Sequence, residues 1–472
     1  MDRARRVELV VDVLLILAIF LGSQRLYRWS PGLTQMADGC YSLAVTETLL
    51  RDGIVRLNHG IPENLEARRT MPGFDPQTGL PYHLVATPSG GIYYGYPLGS
   101  SLLSTPMVVY CTQVRGLSCF GSDGTYSLAG ETAIHIRTAA IVTAFAVVVF
   151  YLIARPFLPA LASAVLAVGF ATGSMAWSTL TRSLWSHTWA VLLTALAVWV
   201  LVRLARRTER TWRSDSVMGL SLGILMFGMY FVRPQTALSA LGILAFLALW
   251  HRRTLMFALI GGALCSGGLV AWSMTTFGSP LPPSVYGAGA LDGRETLFRF
   301  TGLLVSPSRG LLLFCPYLVM FAYLLIAYRK QLSNPRLLLP AGLAIGAYLA
   351  MFTAYLGWHG GYSYGPRYFS DLLPWFVLVG AIACGGLRRG EVAWRKSLEL
   401  ALLIVCFAWA GFVHGRGAIS WAAWEWNYSA HTDAEHVRLI TDWQHPQFLA
   451  GITFDVRPDG TIVPKSRSAP SQ

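Results

Sequence analysis

The sequence predicts an all-α, polytopic membrane protein with about eleven transmembrane helices and a long extracytoplasmic first loop bearing juxtamembrane helices, on three observations. First, 54% of the 472 residues are hydrophobic and 13% charged, where a soluble protein carries about a quarter charged residues. Mean hydropathy is accordingly positive, at +0.48. Second, the apolar residues come in blocks of about 18 to 24, the length needed to cross a hydrocarbon core of about 30 Å. Third, alternate connecting segments are short and basic. No long soluble region stands apart from these blocks.

In chain order, spans are expected at roughly 7–28, 134–154, 159–177, 187–205, 216–234, 235–250, 254–277, 310–328, 336–356, 371–387 and 396–414. The first follows a short basic start, Met1 to Arg6, and no small-x-small cleavage site follows the apolar run. It therefore reads as an uncleaved span and not as a signal peptide. With the N-terminus in the cytoplasm, the inside loops carry Arg155, Arg203 to Arg213, Arg252-Arg253, Arg329-Lys330 with Arg336, and Arg388-Arg389 with Arg395-Lys396. That is the positive-inside pattern. Pro97 to Cys111 is apolar enough to span, but counting it would place the Arg203–Arg213 cluster outside. It reads as a juxtamembrane or re-entrant outer helix.

The net charge of +13 is almost all arginine, since Lys330, Lys396 and Lys465 are the only lysines. These charges sit in short loops and make no continuous basic surface, which argues against nucleic acid. The organisation expected is a transmembrane catalytic domain over 1–415, including an extracytoplasmic first loop at 29–133, and a short extracytoplasmic tail at 416–472. The location expected is the bacterial inner membrane, with the active site and C-terminus outside.

The outer segments hold the candidate chemistry. Asp38 lies in Met36-Ala37-Asp38-Gly39-Cys40-Tyr41, some ten residues beyond the first span. A carboxylate there can serve as general base for a sugar hydroxyl; the plainer reading is an Asp-Gly turn capping a helix. Tyr93 to Tyr96 form either an interfacial aromatic belt or a wall for a sugar or prenyl chain. Arg182 suits a phosphate through its planar fork, or snorkels to headgroups. His187 opens a span, and Arg233 falls at a tight outer turn. Arg309 begins another span from outside. The loop from Trp358 through His359, Tyr364, Arg367 and Tyr368 is the densest polar-aromatic cluster, with Asp371 just after it. Ionisable residues near membrane depth default to function. No Walker loop, G-x-S-x-G elbow, HExxH or metal-ligand spacing occurs, and the seven cysteines form no C-x-x-C. Cys111 and Cys119, both outside, are spaced to pair in an oxidising compartment.

In order and sidedness these residues resemble the GT-C superfamily of polyprenyl-phosphate-sugar glycosyltransferases, near the protein O-mannosyltransferase-like family 39. The resemblance runs over about residues 7 to 415. It rests on Asp38 with Tyr41, Tyr96-Pro97-Leu98-Gly99, Arg137, Thr181-Arg182, Pro280 to Pro283, Ser306 to Gly310, and Gly365-Pro366-Arg367-Tyr368. It implies inverting transfer from a polyprenyl-phosphate-linked sugar to a hydroxyl of a glycan, lipid or protein acceptor. Asp38 is then the base, with Tyr41, Tyr96, Arg182, His187, Arg233, Arg309, His359, Tyr364, Arg367 and Tyr368 as substrate-binding residues. Two departures matter: Gly39 and His187 stand where many relatives carry acids. Metal-dependent relatives use acids in that outer turn, so no cofactor is expected and a divalent metal is not supported. The competing class is a transporter or flippase of a lipid-linked or small-molecule substrate. Its spans would hold more charges and repeated halves.

Overall fold

The computed structural model describes residues 3–30, 39–57, 79–87, 90–283, 291–390, 392–430 and 432–465. Asp38 lies outside them. Among the described residues eight helices are long and apolar enough to cross a membrane. They are α1 (Arg3–Trp29), α5 (Leu128–Ala154), α7 (Ser186–Ala205), α8 (Trp212–Val232), α10 (Arg252–Phe277), α14 (Leu338–Ala354) with the turn before it, α15 (Leu373–Arg389) with the turn before it, and α16 (Ala393–Ile419). The protein is polytopic and all-α, apart from two small hairpins. The other three expected spans are helical but shorter. These are α6 (Ala160–Thr172), α9 (Ala237–Trp250) with a preceding turn, and α13 (Tyr317–Ala327), which Pro316 separates from α12 (Leu311–Phe314). At about 1.5 Å per residue they fall short of a 30 Å core.

Two compact units are distinguishable. One comprises 34–143 and 183–289. It holds α2 (Ser42–Asp52), the hairpin β1 (Leu84–Ala86) with β2 (Ile92–Tyr94), α3 (Gly99–Leu103) and α4 (Thr105–Arg115). The apolar stretch from Pro97 is thus two short helices, neither long enough to span. Leu43, Val45, Leu98, Val108, Ile134 and Leu184 form the core beneath them. Cys111 and Cys119 sit in that core as free thiols, so the expected disulfide is absent. Lower down, α8 and α10 pack closely through glycine. A Cβ at Gly219 or Gly223 would stand 2.5 or 2.2 Å from the carbonyls of Thr254 or Ala258. This is the small-residue packing of membrane helices. Buried Asp215 closes the end of that pair, 3.3 Å from Arg210 and 3.8 Å from Arg253.

The other unit comprises 1–33, 144–182 and 290–472. Its centre is aromatic: Tyr317 stacks on Phe407 with centroids 4.3 Å apart, and Phe170 stands edge-on to both. Two carboxylates at depth are paired, as low dielectric favours. Asp12 takes Tyr151 and Arg155; Glu399 takes Tyr323, Tyr328 and Arg395. α11 (Thr296–Val305) lies before α12. The tail continues as α17 (Trp421–Glu425), α18 (Asp433–Ile440) and the hairpin β3 (Phe454–Val456) with β4 (Ile462–Pro464).

Candidate functional site

Within the first unit, the turn that follows Asp38 is held by a carboxylate some ninety residues away. Glu131 is fully buried. Its Oε1 accepts from the backbone N–H of Leu43 and Ala44 at 2.7 and 3.2 Å, and its Oε2 from Tyr41 N–H at 2.8 Å and Tyr126 Oη at 2.5 Å. These are orphan donors at the start of α2, where a negative charge is favoured. The contacts keep Tyr41 in the left-handed region at φ 71°, a costly conformation outside glycine. His135, one turn along α5, accepts Leu184 N–H at Nδ1, 3.0 Å away. That fixes the proton on Nε2, which faces Glu131 Oε1 at 3.5 Å and Ser42 Oγ at 3.4 Å. Gly39 passes so close that a Cβ would lie 2.9 Å from the His135 ring. Burial first, then the Glu131 charge, pushes the Cys40 thiol up to about 12, which removes it as a nucleophile.

Around this turn stands an aromatic group. The Tyr41 and Tyr96 rings lie 6.1 and 6.3 Å from that of His83, and Tyr126 packs tilted against Tyr41 at 4.5 Å. Two predicted residues are thus brought together, with His83 and Tyr126 as members that sequence reasoning missed. His187 and Arg233 are buried in the same unit, and Arg233 donates to Ser186 Oγ at 3.1 Å. Asp52, at the end of α2, pairs at the surface with its neighbour Arg51.

The second unit contains a cavity of about 930 Å³, lined by three elements. One is the loop 355–368, supplying Tyr355, His359, Arg367 and Tyr368. Another is the start of α11, with Glu295 and Phe298, and the third is α18, with Ala434, Val437 and Arg438. Three predicted residues, His359, Arg367 and Tyr368, line it together. Glu295 and Arg438 were not predicted, and no local signal marks either.

The loop folds this way because Gly360, Gly361 and Gly365 all adopt positive φ, from 60° to 78°. The Arg367 stem lies against Gly360, within 3.3 Å of where a Cβ would be. Its guanidinium sits 5.3 Å from the Tyr368 ring centre, and Tyr368 stacks on Phe352 at 4.3 Å. An isolated bridge between Leu291 and Tyr355 ties the segment before α11 to this loop. Glu295 has a left-handed backbone at φ 56°.

The guanidinium groups of Arg309 and Arg182 are both bonded within the chain. Arg309 Nε donates to His359 O at 2.9 Å, Nη1 to Ser308 O and Gln447 Oε1, and Nη2 to Gly361 O and Asn427 Oδ1. Arg182 is likewise divided among Thr181 Oγ1 and the carbonyls of Tyr27, Ser30 and Ala418. Both are buried, with every donor nitrogen already engaged by the chain itself. Burial pushes Arg309 down to about 9 and Arg182 to about 10, and both remain cations at neutral pH. Tyr364 is similarly committed, donating to Val413 O at 2.6 Å. Asp371, just after the loop, is fully buried. Among the described residues no group of three or more His, Cys, Asp or Glu could hold a metal.

No family model matches the sequence, and no curated protein matches it at a significant level. Among solved structures the chain aligns with the crystal structure of ArnT from Cupriavidus metallidurans bound to undecaprenyl phosphate, with TM-score 0.48 and 13% identity over 93% of this chain and 75% of that one. At that score the likeness carries no inference about chemistry.

Proposed function

We propose that the protein is an integral membrane glycosyltransferase of the GT-C type. It moves a sugar from a polyprenyl-phosphate donor to an acceptor hydroxyl on the extracytoplasmic face. The observation that carries this reading is the cavity beside the 355–368 loop, where a guanidinium, aromatic faces and a carboxylate line one space in a polytopic chain. A guanidinium suits phosphate oxygens because its fork offers two parallel hydrogen bonds. Aromatic faces suit the apolar side of a sugar ring, and a carboxylate accepts from its hydroxyls.

Arg367 holds the donor phosphate against Tyr368. The acceptor oxygen attacks the anomeric carbon from the face opposite the phosphate, so configuration inverts. As the new C–O bond forms, the anomeric carbon–phosphate oxygen bond breaks, and polyprenyl phosphate leaves as an anion. For the base that takes the acceptor proton, the sequence offers Asp38. A second carboxylate acting as acid is unnecessary, because phosphate leaves without one.

Purified protein supplied with a radiolabelled polyprenyl-phosphate sugar tests the reading. Release of free polyprenyl phosphate is expected; transfer of intact donor across a vesicle membrane without cleavage would make the protein a transporter. General-base help is worth about 10² to 10⁴ in rate, so Asp38→Asn should lose at least about a hundredfold while folding normally. Near-normal turnover would remove Asp38 from the mechanism.

A further inference from the structure

The tail helix α18 contributes a wall to the cavity that the donor does not account for. Ala434, Val437 and Arg438 line the space, while His436 and Ile440, on the other side of the helix, are fully buried. The helix is thus anchored with Arg438 at the cavity. It is fixed at its start by a capping box, Thr432 with Glu435. Arg438 is exposed and makes no ion pair among the described residues, although Glu295 lines the same cavity. Arg367 differs from it, being half-buried against Tyr368. A phosphodiester carries one negative charge, and one bidentate guanidinium satisfies it. The cavity therefore holds a second cation, on a separate element, with Phe298 and Tyr355 beside it as ring-sized apolar faces.

We propose that Arg438 forms a second anion-binding subsite, which reads a carboxylate or phosphate on an acidic carbohydrate acceptor. The acceptor role rests on the glycosyltransferase reading; recognition of an acidic sugar at Arg438 does not, and is measurable without turnover. Glu295 then accepts from ring hydroxyls, and its charge disfavours placing the acidic group on its own side of the cavity.

The experiment uses the full chain in nanodiscs of uncharged lipid. Equilibrium binding is measured for three oligosaccharides of equal length, one neutral, one bearing a single uronate and one a single phosphate. At low salt, at least one acidic probe should bind about tenfold tighter than the neutral one, which is the worth of one charge-assisted contact of about 1.4 kcal/mol. Salt should erode that preference. A preference for uronate alone, phosphate alone or both identifies the anion read. Arg438→Ala should reduce the acidic probes to the neutral level, Arg438→Glu should place them below it, and polyprenyl phosphate should still bind to Arg438→Ala. Three results would overturn the proposal: equal binding of all three probes to the natural protein, an unchanged preference in Arg438→Ala, or a loss of polyprenyl phosphate binding in Arg438→Ala as large as in Arg367→Ala. Failure to release polyprenyl phosphate in the turnover assay would instead strike the glycosyltransferase reading and leave these binding data standing.

Discussion

The turn before α2 and the cavity beside α18 both gather polar side chains from distant parts of the chain, yet they leave those side chains in opposite conditions. At the turn, each oxygen of Glu131 is taken by backbone N–H groups and a tyrosine, and His135 is bonded on both ring nitrogens. Glu131 and His135 are fully buried and their polar atoms are engaged. In the cavity, Arg438 and Glu295 face open space without forming an ion pair in the described residues. Saturated polar groups build a scaffold; polar groups lining a void are available to a ligand. Arg309 shows that residue type alone does not separate the two. It is an arginine beside the loop that lines the cavity, and its five hydrogen bonds all go to its own chain.

The sharpest way to break this comparison is at Glu131. Glu131→Ala strips the carboxylate from three backbone N–H groups and from His135 Nε2, and each buried donor left unsatisfied costs about 1–3 kcal/mol. The protein in detergent should melt markedly lower, and turnover should fall with it because the turn that follows Asp38 loses its anchor. Glu131→Gln keeps the shape and should lose less. A variant Glu131→Ala that melts normally would show that the turn is not held from α5.

Next in size is Arg309→Ala, which takes the arginine donor from two buried acceptors, the His359 carbonyl and Gln447 Oε1. Each unsatisfied buried acceptor costs about 1–3 kcal/mol. Hydrogen exchange should quicken in the 359–363 loop and in the tail near Gln447, and donor affinity should fall through loosening of the Arg367 loop. Exchange unchanged in both segments would make Arg309 dispensable as a scaffold. By contrast, Arg367→Ala should weaken the donor without altering exchange in the tail.

The smallest expected effect is on pH. His436 is buried, stacked on Tyr362 at 4.8 Å and edge-on to His359 at 5.2 Å, and neither ring nitrogen has a hydrogen-bond partner among the described residues. Burial first, then the charges of Arg309 and His359, pushes it down to about 3 from its ordinary 6.5. Between those values the unfolded histidine binds a proton that the folded one refuses, so stability is full above about pH 6.5 and drains away as pH falls toward 3. Protection of α18 from exchange should decline over that window in the natural protein and more shallowly in His436→Phe. Identical pH profiles would show that His436 does not set the docking of α18.

Much of this architecture was legible in the sequence. Span positions followed from the length and apolarity of each block, because a bilayer leaves no other place for about twenty consecutive apolar residues. The loop around His359, Arg367 and Tyr368 was visible as a local density of glycine, aromatic and basic residues. The short helices at 160–172 and 317–327 were less readable, since the Gly173–Ser174 and Cys315–Pro316 breaks fall within otherwise apolar runs.

What the sequence determined by itself was therefore the helical, membrane-crossing character of the chain and a set of polar residues too costly to be incidental. Tertiary structure alone decided which of them are spent and which remain. Glu131 lies some ninety residues from the turn it caps, Gln447 well over a hundred from Arg309, and Arg438 about seventy from Arg367. Hydrogen-bond saturation is a property of what surrounds a group in space, and residues that far apart along a chain carry no periodicity or spacing that announces their meeting.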